Sequence, residues 1–345
     1  MTTARAEFSK RFPYVTALAL LISCITAADL RAADPVAELA SFSVFDKIDI
    51  AQLAKGDART ARGPAMNSPR YLSVQSCYVV PVPPPKLVDA MRNWDPTKHS
   101  QLGVVIHGDI SGAPNAATFA RLRNAPENGV VRSLVTATAK ASPDLQISRD
   151  EEKKLTGASS GGLAGAAGFW SDLLAARAQA FASGGSSAQP PYDHTGQNVR
   201  PGEELGGLLR QQEKIRKQFS GLLDSSGIGR GGGSMKPEMY WELLEVEDQG
   251  VVALGASYTR PGANGTYQGA DAMYYASGGF YVSLSLYQMW PVDVDGKPST
   301  LVWRGDLVSA ASLGTLHGVE RLGSESAMMK DIGKAVNLFR RDVAR

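Results

Sequence analysis

Apolar and polar positions follow two periods along this chain, and the change of period marks out the elements. YLSVQSCYVVPV, from Tyr71, alternates loosely and is rich in Val and Tyr, which predicts a strand. Pro81 and Pro83–Pro85 end it, because proline has no amide hydrogen for a ladder. A short helix is expected from Lys86 to Asn93, with Leu87, Met91 and Trp94 spaced four and three apart on one face. LGVVIHGDI, from Leu102, predicts another strand, and APNAATFARLRN a short helix presenting Phe119 and Leu122. From Met239 period two dominates. YWELLEVED leads into VVALGASYT, NGT marks a turn, and ADAMYYASGG leads into FYVSLSLYQMWPV. Asp-Gly in DVDGKPS predicts a hairpin to TLVWRGDLVSA.

On the 281–290 segment, Tyr281, Ser283, Ser285, Tyr287 and Met289 fall on one face, and Val282, Leu284, Leu286, Gln288 and Trp290 on the other. Neither face is strongly polar, so the strand is covered on both sides or lines a cavity on one. In the next strand Leu301, Trp303 and Leu307 share a face. The period then becomes helical. Met328, Ile332, Ala335, Val336, Phe339 and Val343 form one stripe over about Ser324 to Val343, with Lys330, Lys334 and Arg341 outside it. Such a helix is expected to lie across a curved sheet.

Residues 150–236 have another texture. Ala, Gly and Ser dominate Thr156 to Pro191; FWSDLLAARAQAF predicts a helix burying Phe169, Leu173 and Leu174 between glycine-rich joints. Leu205, Leu208, Leu209, Ile215, Phe219 and Leu222 approximate a further helical stripe, which GIGRGGGSMKP breaks. This stretch reads as an insertion: a helical cap, a mobile cover or a small separate domain. The expected class is α+β, a curved antiparallel sheet with a long C-terminal helix and an inserted helical or flexible segment. The domain spans 71–343, after a leader at 29–70 whose one helix would present Leu39, Phe42 and Phe45.

The order of strand, short helices, insertion, antiparallel strands and terminal helix resembles the helix-grip fold of START and polyketide-cyclase-like domains. VPVPPPKLVDAMRNWD is similar to that superfamily's early strand, which passes through a proline turn into a helix ending near an aromatic residue and Asp. TLVWRGDLVSAASLGTLHGVERLGSESAMMKDIGKAVNLFRRD is similar to its late strand, loop and terminal helix. The resemblance spans about 70–149 and 237–343; the insertion departs from it and leaves open how a cavity would form. It implies a cavity between bent sheet and terminal helix for lipids, sterols or other apolar molecules. Some relatives are enzymes, and fold alone does not choose.

Composition adds a location. Arg5, Lys10 and Arg11 stand against Glu7 ahead of VTALALLIS, the n-region and h-region of a secretory signal. The apolar run is too short to span a bilayer. A signal over 1–28 would be cut after Ala28; LISC at Leu21–Cys24 instead resembles a bacterial lipoprotein signal that lipidates Cys24. Either way the expectation is an exported chain: periplasmic, envelope-associated or secreted. Cys77 then lacks an intramolecular partner, so the domain relies on core burial rather than disulfides. The 36 basic and 34 acidic residues show no basic tract, which argues against a nucleic-acid partner.

Chemistry is sparse. His107 and Asp109 in IHGD are two apart and face the same way in an extended segment; a histidine oriented by a carboxylate is a general base, although a plain strand-end pair would look the same. His99 with Asp95 would sit at a cavity mouth or cap the preceding helix. With His194 and His317, four scattered histidines give no metal-ligand spacing. DVDG lacks the rest of a calcium loop, and GASSGGLAG and GIGRGGG lack phosphate- and dinucleotide-binding contexts, so no cofactor is expected. There is no G-x-S-x-G elbow. Trp94, Tyr281, Tyr287 and Trp303 are candidates to line an apolar pocket, with Arg304 or Asp306 orienting a polar head group; core packing is the plainer role. The first functional reading is therefore an exported binding or carrier protein for a lipid or other apolar small molecule, membrane-associated if Cys24 is lipidated. The alternatives are an enzyme using the same cavity with His/Asp acid–base groups, and a structural or interaction protein of the bacterial envelope.

Overall fold

The period-two segments pair into one sheet. The computed structural model describes residues 34–158 and 161–344. The expected signal segment and Cys24 lie outside them. The strands are β1 (Arg59–Arg62), β2 (Tyr71–Val80), β3 (Val104–Ile110), β4 (Glu238–Val246), β5 (Gln249–Pro261), β6 (Tyr267–Ala276), β7 (Val282–Val294) and β8 (Lys297–Ser309). They run in the order β1-β2-β8-β7-β6-β5-β4-β3, each pair antiparallel, in an open, curved sheet. Irregularities between Val104 and Ile106 and between Leu254 and Gly255 shift the register, as bulges that bend a strand do. The β7–β8 hairpin turns at Asp295-Gly296, both at positive φ, the geometry that Asp-Gly tolerates. The β4–β5 hairpin makes the same two-residue turn with Glu247 and Asp248, at φ 49° and 62°. Without a glycine it carried no turn signal.

The helices are α1 (Pro35–Phe42), α2 (Ile50–Lys55), α3 (Pro84–Asn93), α4 (Gly129–Ala139), α5 (Arg149–Glu152), α6 (Gly162–Gly184), α7 (Pro201–Arg210), α8 (Glu213–Gln218), α9 (Ser220–Ser226) and α10 (Gly318–Val343). The proline run turns β2 into α3: Pro83 is extended at φ −68° and ψ 157°, and Pro84 takes the first helical position, where a missing N–H costs nothing. The helix thus starts two residues before its expected start.

Both faces of the sheet are covered. All ten positions of β2 are buried. Val74, Tyr78 and Val80 pack in a cluster with Ile332, Val336 and Phe339 of α10 and Leu87 and Val88 of α3. Cys77 and Val79 point the other way, into the larger core. That core holds the insertion: Trp170, Leu174 and Ala178 of α6, Leu205 and Leu208 of α7, and Phe219 and Leu222 sit with Leu284, Leu286, Trp290 and Trp303 of the sheet. Each leucine and phenylalanine among them contributes about 1.5–3 kcal/mol on burial. Of the alternatives for 150–236, the structure shows the helical segment: its helices form a layer on the face away from α10. The buried residues of α6 cover most of its circumference and leave one exposed stripe at Asp172, Ala176 and Gln179. Arg177 of α6 is fully buried, paired with Glu151 at 2.6 Å and lying 4.2 Å over the Tyr275 ring. The Cys77 thiol is buried, which pushes it up to about 12 and leaves it unreactive.

Candidate functional site

The face under α10 is not filled. Along β7, Ser283, Ser285 and Tyr287 keep accessible surface while Val282, Leu284 and Leu286 are buried. The same alternation exposes Asp271 and Met273 on β6, and Arg304 and Val308 on β8. These side chains open onto a cavity of about 530 Å³ between the sheet and helices α3 and α10. Met91, Met239, Met273, Met289, Ile332 and Phe339 supply much of its apolar wall. No described residue of the 150–236 insertion lines it.

The floor is polar, and sheet register builds it. Ser257, Asp271, Ser285 and Asp306 are successive cross-strand partners on β5, β6, β7 and β8. Ser257 Oγ donates to Asp271 Oδ2 at 2.6 Å, and Ser285 Oγ donates to Asp306 Oδ1 at 2.7 Å. Tyr240 Oη donates to Asp271 Oδ1 at 2.7 Å. Arg304 grips Asp306 through Nε and Nη2 at 2.7–2.9 Å and lies 5.5 Å over the Tyr287 ring. Across β3 and β4, His107 faces its register partner Glu242, with Nδ1 2.8 Å from Oε1. The His107 ring stacks on Tyr240, 5.4 Å between centroids, so the two polar groups are contiguous.

Burial and pairing set the charge states. Burial pushes the carboxyls of Asp271 and Glu242 above their ordinary range, against hydrogen bonds that favour the ionised form. The Glu242 hydrogen bond pushes His107 up, outweighing its own burial. Burial likewise raises the Tyr240 hydroxyl well above its ordinary range, and that of Tyr287 to about 12. Asp271 keeps surface open to the cavity while protein surrounds it, so its exposure is to the pocket rather than to bulk water.

The sequence candidates divide between several places. His107 and Asp109 both line the cavity, but their closest approach, 3.7 Å from Nε2 to Oδ1, is too long for a hydrogen bond, and Asp109 is largely exposed. The carboxylate that orients His107 is Glu242. His99 does not pair with Asp95, whose carboxylate caps the turn at Thr97. Instead His99 Nε2 lies 2.7 Å from Asp342 Oδ2 near the end of α10, and Trp94 Nε1 donates to the same oxygen at 2.9 Å. Trp94 also lines the cavity and packs edge-on to Phe339. Tyr287 lines it too. Tyr281 and Trp303 lie on the other face. Tyr281 precedes the first residue of β7, so the alternation does not reach it, and it packs on Tyr192. Trp303 is one residue out of phase with Arg304; it donates to Gln75 Oε1 and packs on Phe42. Glu242, Asp271, Tyr240 and Ser257 went unnoticed as site residues. Their available signal was an isolated polar side chain between apolar neighbours, as with Glu242 between Trp241 and Leu243 and Asp271 between Ala270 and Ala272.

Among the described residues no group of three or more His, Cys, Asp and Glu is arranged to hold a metal ion, and no helix is long and apolar enough to cross a membrane. Compared with protein families, curated proteins and solved structures, the chain finds no match. The class rests on geometry: an open, curved antiparallel sheet packed against a long C-terminal helix, a shape consistent with the helix-grip fold.

Proposed function

We propose that this chain is an enzyme that performs general acid–base chemistry on a small, largely apolar molecule held between the sheet and α10. One observation carries the reading: ionisable groups are buried on the floor of an otherwise apolar cavity. A carrier for a purely apolar ligand gains nothing from Asp271 and Glu242 there, because burying a carboxyl costs stability unless it is offset. Perturbed titratable groups gathered in a cleft are what acid–base catalysis requires. In this reading Glu242 holds Nδ1 of His107, and Nε2 exchanges the proton with substrate. Asp271, held by Tyr240 and Ser257, is the second acid–base or anchoring group. The apolar walls exclude water and hold the substrate body. The exported location, and membrane attachment through Cys24, are carried forward as proposals; the intact mass of the mature chain tests both.

The test is incubation of purified protein with a small-molecule extract enriched in apolar compounds, followed by mass spectrometry. Wild type is expected to convert at least one compound, and H107A and E242Q to convert it at least ~100-fold more slowly, the usual scale for losing an acid–base group. A compound that wild type retains unchanged, with no conversion anywhere, would overturn the enzyme reading in favour of a carrier.

A further inference from the structure

We infer that the cavity selects molecules carrying a protonated amine, with Asp271 as the counter-ion. The inference deepens the enzyme reading, since it names the substrate class of the same cavity.

The argument is one of charge accounting. The lining holds five acidic side chains, Asp109, Glu238, Glu242, Asp271 and Asp306, against two arginines and His107. Both arginines are engaged: Arg92 with Glu238 at the mouth, at 2.9 Å, and Arg304 with Asp306 on the floor. His107 is engaged with Glu242. Asp271 is left with two hydroxyl donors and no ion pair among the described residues. Hydroxyl bonds orient a carboxylate without neutralising it; burial raises Asp271 despite the charges of Arg304 and His107, and an ammonium group beside it would favour its ionised form. A cation entering from the mouth would meet Asp271 at the centre of the sheet, with surface open to the cavity. An anion would meet the same surplus of negative charge as repulsion.

The surroundings suit an ammonium group. Tyr240 and Tyr287 bring their rings into the same cavity, and Arg304 already lies over Tyr287 as a cation over an aromatic face. The wall of methionines and of Ile332 and Phe339 suits an alkyl or aryl body. An amine anchored at Asp271 also lies one tyrosine ring from His107, because Tyr240 stacks on the imidazole and bonds Asp271 through its hydroxyl. The bonds nearest the amine would then be those within reach of His107.

The test is calorimetric titration of wild-type protein with three probes of matched length, n-octylamine, 1-octanol and octanoate, near pH 7.5, where the amine is protonated. Octylamine is expected to bind at least ~10-fold more tightly than octanol, with octanoate weakest, the scale of one charge-assisted hydrogen bond. D271N is expected to bring octylamine and octanol within about threefold while leaving octanol binding in place, since that exchange removes the same charge-assisted bond. Octanol or octanoate binding as tightly as octylamine would overturn the amine inference and leave the cavity and its acid–base reading standing. Failure of all three probes would overturn the cavity reading together with the inference. The three-probe comparison needs only wild-type protein, so it holds even if D271N fails to fold.

Discussion

Single side chains decide what the cavity can do, and two of them have consequences that titration reads directly. Glu242 raises His107, so E242Q is expected to lower the imidazole toward its ordinary value, followed through its ring protons by NMR. The sign for stability follows. A group whose folded pKa lies above its unfolded one stabilises the fold at low pH and loses that contribution as pH rises through the folded value. His107, Glu242 and Asp271 are all raised. Their joint contribution therefore falls as pH climbs from the ordinary carboxylate range through their raised values. D271N removes one share of that fall, so the Tm of D271N minus that of wild type is expected to increase with pH over this window. A difference that stays flat would show that Asp271 is not the source. The residue scale was also the least legible in sequence. His107 stood out in IHGD, yet its partner lies on β4 and is supplied by register. The carboxylate two places along, Asp109, is largely exposed and stays 3.7 Å from the ring. No local pattern announces a partner of that kind.

Strands and helices were easier to read, because each carries its period along its own length. The late strands, the Asp-Gly hairpin and the apolar stripe of α10 follow from spacing alone, and α10 begins six residues before its expected start at Ser324. The Glu247-Asp248 turn was not readable, because neither residue announces positive φ as glycine does. Tyr281 was misassigned for a related reason: alternation holds only inside the ladder, and the ladder starts at Val282. One glycine on β5 ties element geometry to the floor. Gly255 is the register partner of Tyr240, and a methyl group there would collide with the Tyr240 ring and hydroxyl. G255A is therefore expected to displace the hydroxyl from Asp271 and to weaken octylamine binding several-fold. The strand can accept the residue itself, since Gly255 is not at positive φ. Calorimetry on the variant, with circular dichroism to verify the sheet, checks this.

At the scale of the molecule, the sheet divides labour between its faces. The helices of the insertion were legible from their apolar spacing, but their place against the sheet was not. The insertion's Ala, Gly and Ser content looks like a flexible segment, whereas small side chains are what let α6 approach the sheet and its neighbours closely. The buried Arg177–Glu151 pair anchors this layer. R177A leaves Glu151 buried without its cation, which is expected to cost about 3–5 kcal/mol, measured by urea unfolding. A loss below about 1 kcal/mol would mean the pair is dispensable. In contrast, the cavity face gathers polar groups and leaves a void where packing would have added stability.

The closure by α10 is expected to govern timing as well. Trp94 and His99 fasten one end of that helix through Asp342, at the edge of the cavity. Their removal from Asp342 would let the helix lift while the insertion layer holds the sheet. Backbone amides of α10 are expected to exchange with deuterium through a partial opening, well before those of β7 and β8. If that opening is how molecules leave, H99A shortens the residence time of a bound amine more than it weakens the amine's equilibrium hold.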